Sequence, residues 1–296
     1  MATVVFERTV GAPALLLVGN AKANGVGARP EVLERATHAL RVAGARVEPH
    51  LTESLGELGE VLEIAGGRRL VILGGDGSLH ALANLPARPE EIALLPAGGA
   101  NNIAASLGVP NDLRQAARLA VEGRARPIDG IDALGPAGRY TALEGISVGF
   151  LAQARVRYRS ETSSDVGEGL RAGFAELARF RPVDVMVAVD GRAESISVSQ
   201  LFVANTPRYA FGLRVGPADP FDGLLDLVAI RTRTRAGLVT AIARLRRGTL
   251  APEIRRAERF VLETEPGSPV VADSTSLGDG RVVVTVKPDA LRVVVP

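Results

Sequence analysis

Cysteine is missing from all 296 residues, which excludes disulfides, iron–sulfur clusters, thiolate zinc sites and a cysteine nucleophile. No apolar run approaches the ~20 residues of a membrane-spanning helix. A signal-peptide pattern is missing too, because Glu7 and Arg8 fall where its apolar stretch would lie. The expected compartment is therefore the cytoplasm. No Gly-x4-Gly-Lys-Ser/Thr loop occurs, and the first strand–helix turn lacks the Gly-x-Gly-x-x-Gly of a dinucleotide fold. Internal repeats, coiled-coil heptads and low-complexity tracts are absent. A net charge of only +2 speaks against a dedicated nucleic-acid binder. What remains, 46 % hydrophobic and 23 % charged residues, is the balance of a soluble globular chain and excludes wholesale disorder. At roughly 150 residues per domain the length suggests two domains.

Lysine is nearly missing as well. Lys22 and Lys287 are the only two, so arginine carries the basic charge. Nine arginines and two acids lie between Arg231 and Arg259, which makes that span +7 and the rest of the chain −5. Leu238, Ile242 and Leu245 read either as an apolar face within it or as residues packed on the core. The span reads either as a solvated arginine-rich face or as a peripheral contact for an anionic membrane surface.

The first part of the chain alternates strand and helix signals. Ala14–Val18, Arg46–Leu51, Leu70–Leu73 and Ile92–Leu95 read as short strands. Helical spacing follows from Pro30 to Ala43, over Leu55–Leu62, after Gly77, near Asn101–Leu107 and over Asn111–Glu122, with Asn111 as the expected cap. This pattern implies a mainly parallel sheet covered on both faces. Beyond Asp129 the signals turn to strand: Arg139–Phe150, Val183–Val189, an Asp190-Gly191 turn, Ser195–Ala204, Leu224–Ile230, Phe260–Thr264, Val270–Ala272, Arg281–Lys287 and Leu291–Val295. Helices are expected near Gly169–Phe180 and Ala236–Arg247. The fold class expected is α/β + β, a three-layer α/β domain over residues 1–129 and an antiparallel β-sandwich over 130–288. Residues 289–296 are expected to return to the first domain.

Three Gly/Asn-rich loops follow strands of the parallel sheet, where such sheets form their ligand crevice. Gly74-Gly75-Asp76-Gly77-Ser78 leaves its backbone uncovered, so its N–H groups can approach phosphate oxygens at the positive end of the next helix. Asp76 could hold Mg²⁺ or accept a proton from an attacking hydroxyl, and Ser78 could bond a phosphate. A plain β-turn-α connection would use the same glycines for the turn alone. Pro96-Ala97-Gly98-Gly99-Ala100-Asn101-Asn102 and Gly19-Asn20-Ala21-Lys22-Ala23-Asn24-Gly25 are the other two loops.

On these residues the chain resembles the diacylglycerol-kinase-like lipid kinases, a family sharing its nucleotide-binding core with NAD kinases and phosphofructokinases. The likeness covers nearly the whole chain. Gly74–Ser78 is similar to the family's Gly-Gly-Asp-Gly-Thr, Pro96–Asn102 to its Pro-x-Gly-Thr-x-Asn-Asp, and Asn20 to the asparagine of its Asn-Pro-x-x-Gly region. Thr52 falls where the family often has a nucleotide-contacting threonine. Val203-Ala204-Asn205 and Pro217–Asp226 match further segments. The resemblance implies an ATP-dependent transfer of phosphate to a lipid hydroxyl such as that of diacylglycerol. It implies ATP at Asn20, Thr52, Gly74, Gly75, Gly77, Ser78, Gly98 and Asn101, catalysis by Asp76 and Asp273, and a structural Mg²⁺ held by Asp219, Asp222 and the carbonyl of Leu224. The expected partners are a lipid substrate and a second copy of the chain, without nucleic acid.

The chain also departs from the family pattern. His80 and Ala81 stand where the family has Asn-Glu, and Gly99 and Asn102 replace a threonine and an aspartate. Gly149-Phe150-Leu151-Ala152 lacks an acid, and the family's late Asp-Gly-Glu is Asp273-Ser274-Thr275. Fewer carboxylates leave a second reading open, a non-catalytic relative that binds nucleotide or lipid as a regulator. A third is a kinase for another hydroxyl compound, such as a dinucleotide. Of the histidines, His38 reads as a helix-surface or packing residue and His50 has no evident partner. His80 reads as a helix-surface residue or a substitute phosphate-side contact.

Overall fold

The structure, a computed structural model, describes residues 13–21, 30–65, 67–87, 89–157, 173 and 175–296. Lys22–Gly25 of the first loop, and most of the first half of the helix expected near Gly169–Phe180, lie outside the described residues. Strands β1 (Ala14–Asn20), β2 (Arg46–Thr52), β3 (Arg69–Gly74) and β4 (Ile92–Pro96) run parallel in the order β2-β1-β3-β4. Side chains alternate between the two faces of these strands, as a period of two requires. Leu16, Val18, Leu70, Ile72 and Leu94 pack under α2 (Leu55–Ala65), α3 (Asp76–Ala83) and α4 (Asn102–Ser106). Leu15, Leu17, Val71, Leu73 and Leu95 pack under α1 (Pro30–Val42) and α5 (Leu113–Glu122). The result is three layers. The cap of α5 is Asp112, not Asn111: its Oδ1 accepts the backbone N–H groups of Arg114 and Gln115. The carboxylate is the stronger acceptor at a helix N-terminus.

The second half is a sandwich. Strands β5 (Arg124–Gly135), β6 (Gly138–Ala142), β8 (Val183–Val189), β9 (Arg192–Val198), β15 (Arg259–Thr264) and β18 (Arg281–Val295) extend the first sheet. Facing them is an antiparallel sheet of β7 (Gly145–Gly149), β10 (Gln200–Ala204), β13 (Leu225–Ile230), β14 (Glu253–Ala257), β16 (Val270–Ala272) and β17 (Thr275–Gly278). Between the sheets lie Val185, Val187, Phe260, Leu262, Val282 and Val284 from one side and Ile146, Val148, Leu201, Val203 and Val270 from the other. Burying one such side chain contributes about 2 kcal/mol. A short hairpin, β11 (Arg208–Tyr209) with β12 (Leu213–Arg214), flanks the second sheet, as do α6 (Phe150–Arg157) and α7 (Arg235–Arg247).

Several strand runs are organised differently from their sequence expectation. Arg139–Phe150 is not one strand: β6 and β7 belong to different sheets, and the chain crosses between them at Leu143-Glu144. Ser195–Ala204 likewise breaks at Ser199 into β9 and β10, while Arg281–Val295 is one strand with a bulge between Lys287 and Leu291. Val293 of β18 pairs in parallel with Ile92 of β4. Asp129, the expected junction, lies inside β5, which pairs with β18 from Arg124 to Leu134. One sheet therefore runs through both halves and fixes the glycine loops against the sandwich. Among the described residues no helix is long and apolar enough to cross a membrane.

Candidate active site

Parallel pairing aligns the loop-bearing strand ends. Asn20 lies beside Thr52, and Gly74 lies beside Pro96. Thr52 is buried, and its hydroxyl donates to the Gly19 carbonyl at 3.3 Å. A cleft of about 290 Å³ opens there, lined by Asn20, Thr52, Ser54, Leu55, Ile72 and Ser78 among others. Gly74, Gly75, Asp76, Pro96 and Asn101 line a smaller hollow that also includes Ile72. Asn101 sits in the left-handed region at φ 50° and closes the second loop: its Oδ1 accepts from Gly98 N and its Nδ2 donates to Gly98 O, both at 2.9 Å. The glycines differ in the space they leave. A Cβ on Gly74 would stand 2.6 Å from Ser78 Oγ, whereas one on Gly77 meets nothing within 4 Å. Of the predicted nucleotide contacts, Asn20, Thr52 and Ser78 thus share one cleft, and Gly74, Gly75 and Asn101 share the next.

Asp76 opens α3, and its carboxylate reaches the second loop. Oδ2 accepts from Asn102 N and Oδ1 from Ile103 N, both at 2.9 Å, so it caps α4 across the crevice. The N-terminus of α3 itself has no side-chain cap, which leaves it open to an anion.

Asp273 is placed by the β16–β17 turn at φ 49°. Its side chain is wholly buried. Oδ1 accepts from Glu144 N and Gly145 N at 3.0 Å, and Oδ2 accepts from Leu143 N at 2.9 Å. The buried Tyr209 hydroxyl donates to Asp273 O at 3.1 Å. Asp273 therefore fastens the β6–β7 turn instead of facing solvent.

That turn delivers a residue that sequence reasoning missed. Glu144 is buried, and Asn102 hydrogen-bonds its carboxylate. Burial first, then the charges of Asp273 and Asp76, push its carboxyl well above the ordinary carboxylate range, against the Asn102 bond. The available signal was a lone acid inside the apolar run Ala142–Val148. His80 joins this group from α3 and is buried, not on the helix surface: Nε2 lies 3.2 Å from Asp273 Oδ2 and 3.6 Å from Glu144 Oε2. Asn84 holds the end of the helix, donating from Nδ2 to His80 O and to Thr141 O. His38 is exposed, and His50 Nε2 pairs with Glu48 at 3.0 Å.

Asp219 and Asp222 lie apart from this cluster. Asp219 Oδ1 accepts from Phe221 N, Asp222 Oδ1 accepts from Leu224 N, and Asp222 also pairs with Arg256. Burial, helped by the charges of Asp222, Asp289 and Asp219, raises the pKa of Asp129 against a bond from Gly223 N.

An α/β crevice of glycine loops is thus locked to a β-sandwich by a shared strand. Residues 14–133 match the diacylglycerol kinase catalytic domain, and residues 147–295 match the YegS C-terminal NAD kinase beta sandwich-like domain. A Pseudomonas fluorescens protein named "Probable lipid kinase YegS-like" is 30 % identical over 292 residues, covering 92 % of this chain and 93 % of that one. A protein of the same name from Cronobacter sakazakii is 36 % identical over 115 residues, 36 % of this chain and 38 % of that one. The crystal structure of a Bacillus anthracis diacylglycerol kinase shares the fold, with a TM-score of 0.69 at 20 % identity over 96 % of this chain and 97 % of that chain. The chain belongs to the diacylglycerol-kinase-like lipid kinase family.

Proposed function

We propose that the chain is an ATP-dependent lipid kinase that phosphorylates a lipid hydroxyl such as that of diacylglycerol. The observation carrying this reading is the meeting of the uncapped α3 N-terminus, the bare Gly75–Gly98 contact and Asp76 at one crevice mouth. The residues fit a nucleoside triphosphate: Asn20, Thr52 and Ser78 would flank the nucleotide in the cleft, and the N–H groups of Gly75 and Gly77 would meet its phosphates. When bound, Mg·ATP supplies the transferable phosphoryl group and a charge that offsets its oxygens. Asp76 keeps the two loops in register and stands ready to accept the proton of the lipid hydroxyl. Asp273 acts by positioning, through the β6–β7 turn. The negative charge collected around Asp129 fits a structural cation at Asp219, Asp222 and the Leu224 carbonyl, with Arg256 sharing Asp222.

Glu144 weighs against the regulatory reading, because it returns a carboxylate to a site that had seemed depleted. The arginine-rich span is part of the same proposal. Arg233, Arg246 and Arg247 are exposed and pair with no carboxylate among the described residues, which suits an anionic lipid surface. Of the two readings of its apolar residues, core packing holds: Leu238 and Leu245 are 1 % exposed and pack into the core. The deciding assay is purified protein with radiolabelled ATP, Mg²⁺, a panel of lipid alcohols and NAD. Labelled lipid above an Asp76→Asn control supports the proposal; labelled NAD alone, or no product, overturns it.

A further inference from the structure

The buried group behind the glycine loop has the makings of a site that phosphate chemistry does not require. We propose that His80, Glu144 and Asp273 bind one divalent transition-metal ion of the zinc type. Each offers one ligand atom, and these atoms all lie within 4.8 Å of one another. The spacings from His80 Nε2, 3.2 Å and 3.6 Å, bracket the edge of a tetrahedron. Bonds of about 2.0–2.2 Å to zinc separate neighbouring ligand atoms by about 3.4 Å. A magnesium octahedron would draw them to about 2.9 Å, and imidazole is in any case a poor magnesium ligand.

Two further observations point to a missing partner. His80 Nε2 and Glu144 Oε1 are fully buried and have no hydrogen-bond partner among the described residues. His80 is 7 % exposed and Glu144 5 %. Buried polar atoms are seldom left so. Asp273 has the reverse arrangement. Its Oδ1 already accepts two N–H groups, while Oδ2 accepts one and keeps a lone pair on the His80 side. It would therefore bind through a single oxygen. Two carboxylates facing one imidazole balance a dication. A supporting shell is in place as well: Asn102 bonds Glu144, and the three backbone N–H groups hold Asp273. The ligands come from α3, the β6–β7 turn and the β16–β17 turn, so the ion would pin the phosphate-loop helix to the sandwich.

The test uses the full chain, stripped with a chelator and then given Zn²⁺ or Co²⁺ alone, without nucleotide or lipid. Expected are one Zn²⁺ per chain by mass spectrometry of the metal after gel filtration, visible d–d bands of low-coordinate Co²⁺, and a higher melting temperature with Zn²⁺. His80→Ala and Glu144→Gln are each expected to weaken binding more than ~100-fold, beyond the loss typical of an outer-shell change. If a variant does not fold, the stoichiometry and Co²⁺ spectrum of the unmodified chain decide. Failure of the stripped chain to retain one equivalent, or unchanged affinity in folded His80→Ala, overturns the site. Because no phosphoryl transfer is read, this result and the kinase assay can fail separately.

Discussion

Gly75 and Gly98 touch backbone to backbone: a Cβ on Gly98 would stand 2.6 Å from Gly75 Cα and 2.8 Å from Asn101 Oδ1. Gly75 Cα is backbone, and Asn101 Oδ1 is tied to Gly98 N by a hydrogen bond, so the loops themselves must separate. Gly98→Ala is expected to cost about 1–3 kcal/mol and to raise the KM for nucleotide. A Cβ on Gly99 meets nothing within 4 Å among the described residues, and Gly99→Ala should stay within about 0.5 kcal/mol of the parent. Urea melts of the two variants check this; equal stability would mean that the loops can part freely.

Gly77 separates packing from binding. It lies in the first turn of α3 with open space around its Cβ position, so Gly77→Ala should be neutral or stabilising by about 0.5–1 kcal/mol. Nucleotide affinity, read by calorimetry, should nevertheless fall, because the methyl group would stand where phosphate is proposed to approach. Unchanged affinity would remove Gly77 from the binding set.

Asp76 has a structural duty as well as a proposed chemical one. Asp76→Asn keeps one oxygen for the α4 N–H groups and loses the charge, so a stability loss of about 1 kcal/mol is expected. Lipid phosphorylation should fall at least ~100-fold, the lower range for a lost general base. A fall no larger than the loss of folded protein would reduce Asp76 to a cap.

Tyr140 carries a pH signature. Burial chiefly, with the charges of Asp273 and Glu144, pushes its phenol up to about 12, against a hydrogen bond with Thr275. The pKa is raised on folding, so the stabilisation is complete below the ordinary tyrosine value and is lost as pH climbs through the folded one. Over that alkaline window the chain should lose on the order of 2 kcal/mol through this group. Tyr140→Phe should flatten the fall in chemical-denaturation curves taken between pH 10 and pH 12, a span of about two units. An unaltered slope would assign the alkaline loss to other groups, such as Tyr209, whose pKa is also raised.

The arginine span is testable without the reaction. Glutamates at Arg244, Arg246 and Arg247 should weaken binding to phosphatidylserine vesicles by about 1 kcal/mol per charge, with the difference shrinking in salt. Since Leu238 and Leu245 are buried, no apolar insertion should compensate. Equal binding by sedimentation would return the span to a solvated face.

Much of this architecture is written locally. Unbroken apolar runs at Leu15–Val18 and Leu70–Leu73 specify strands buried on both faces, and helical spacing from Pro30 to Leu40 specifies a layer over one of those faces. The glycine loops were legible for a similar reason, since bare backbone at a strand end leaves few alternatives. The break at Ser199 was not, because no glycine or proline marks it and the sheet each part joins is set by partners remote in the chain. Nor was Glu144. By itself the sequence determined the two layered halves, the glycine loops at the strand ends and the family. Only the tertiary structure decided that α3, the β6–β7 turn and the β16–β17 turn converge, bringing His80, Glu144 and Asp273 within 4.8 Å. The reason is physical: periodicity records which face of an element is dry, whereas the meeting of three side chains depends on strand pairings remote in the chain, such as β16 with β7.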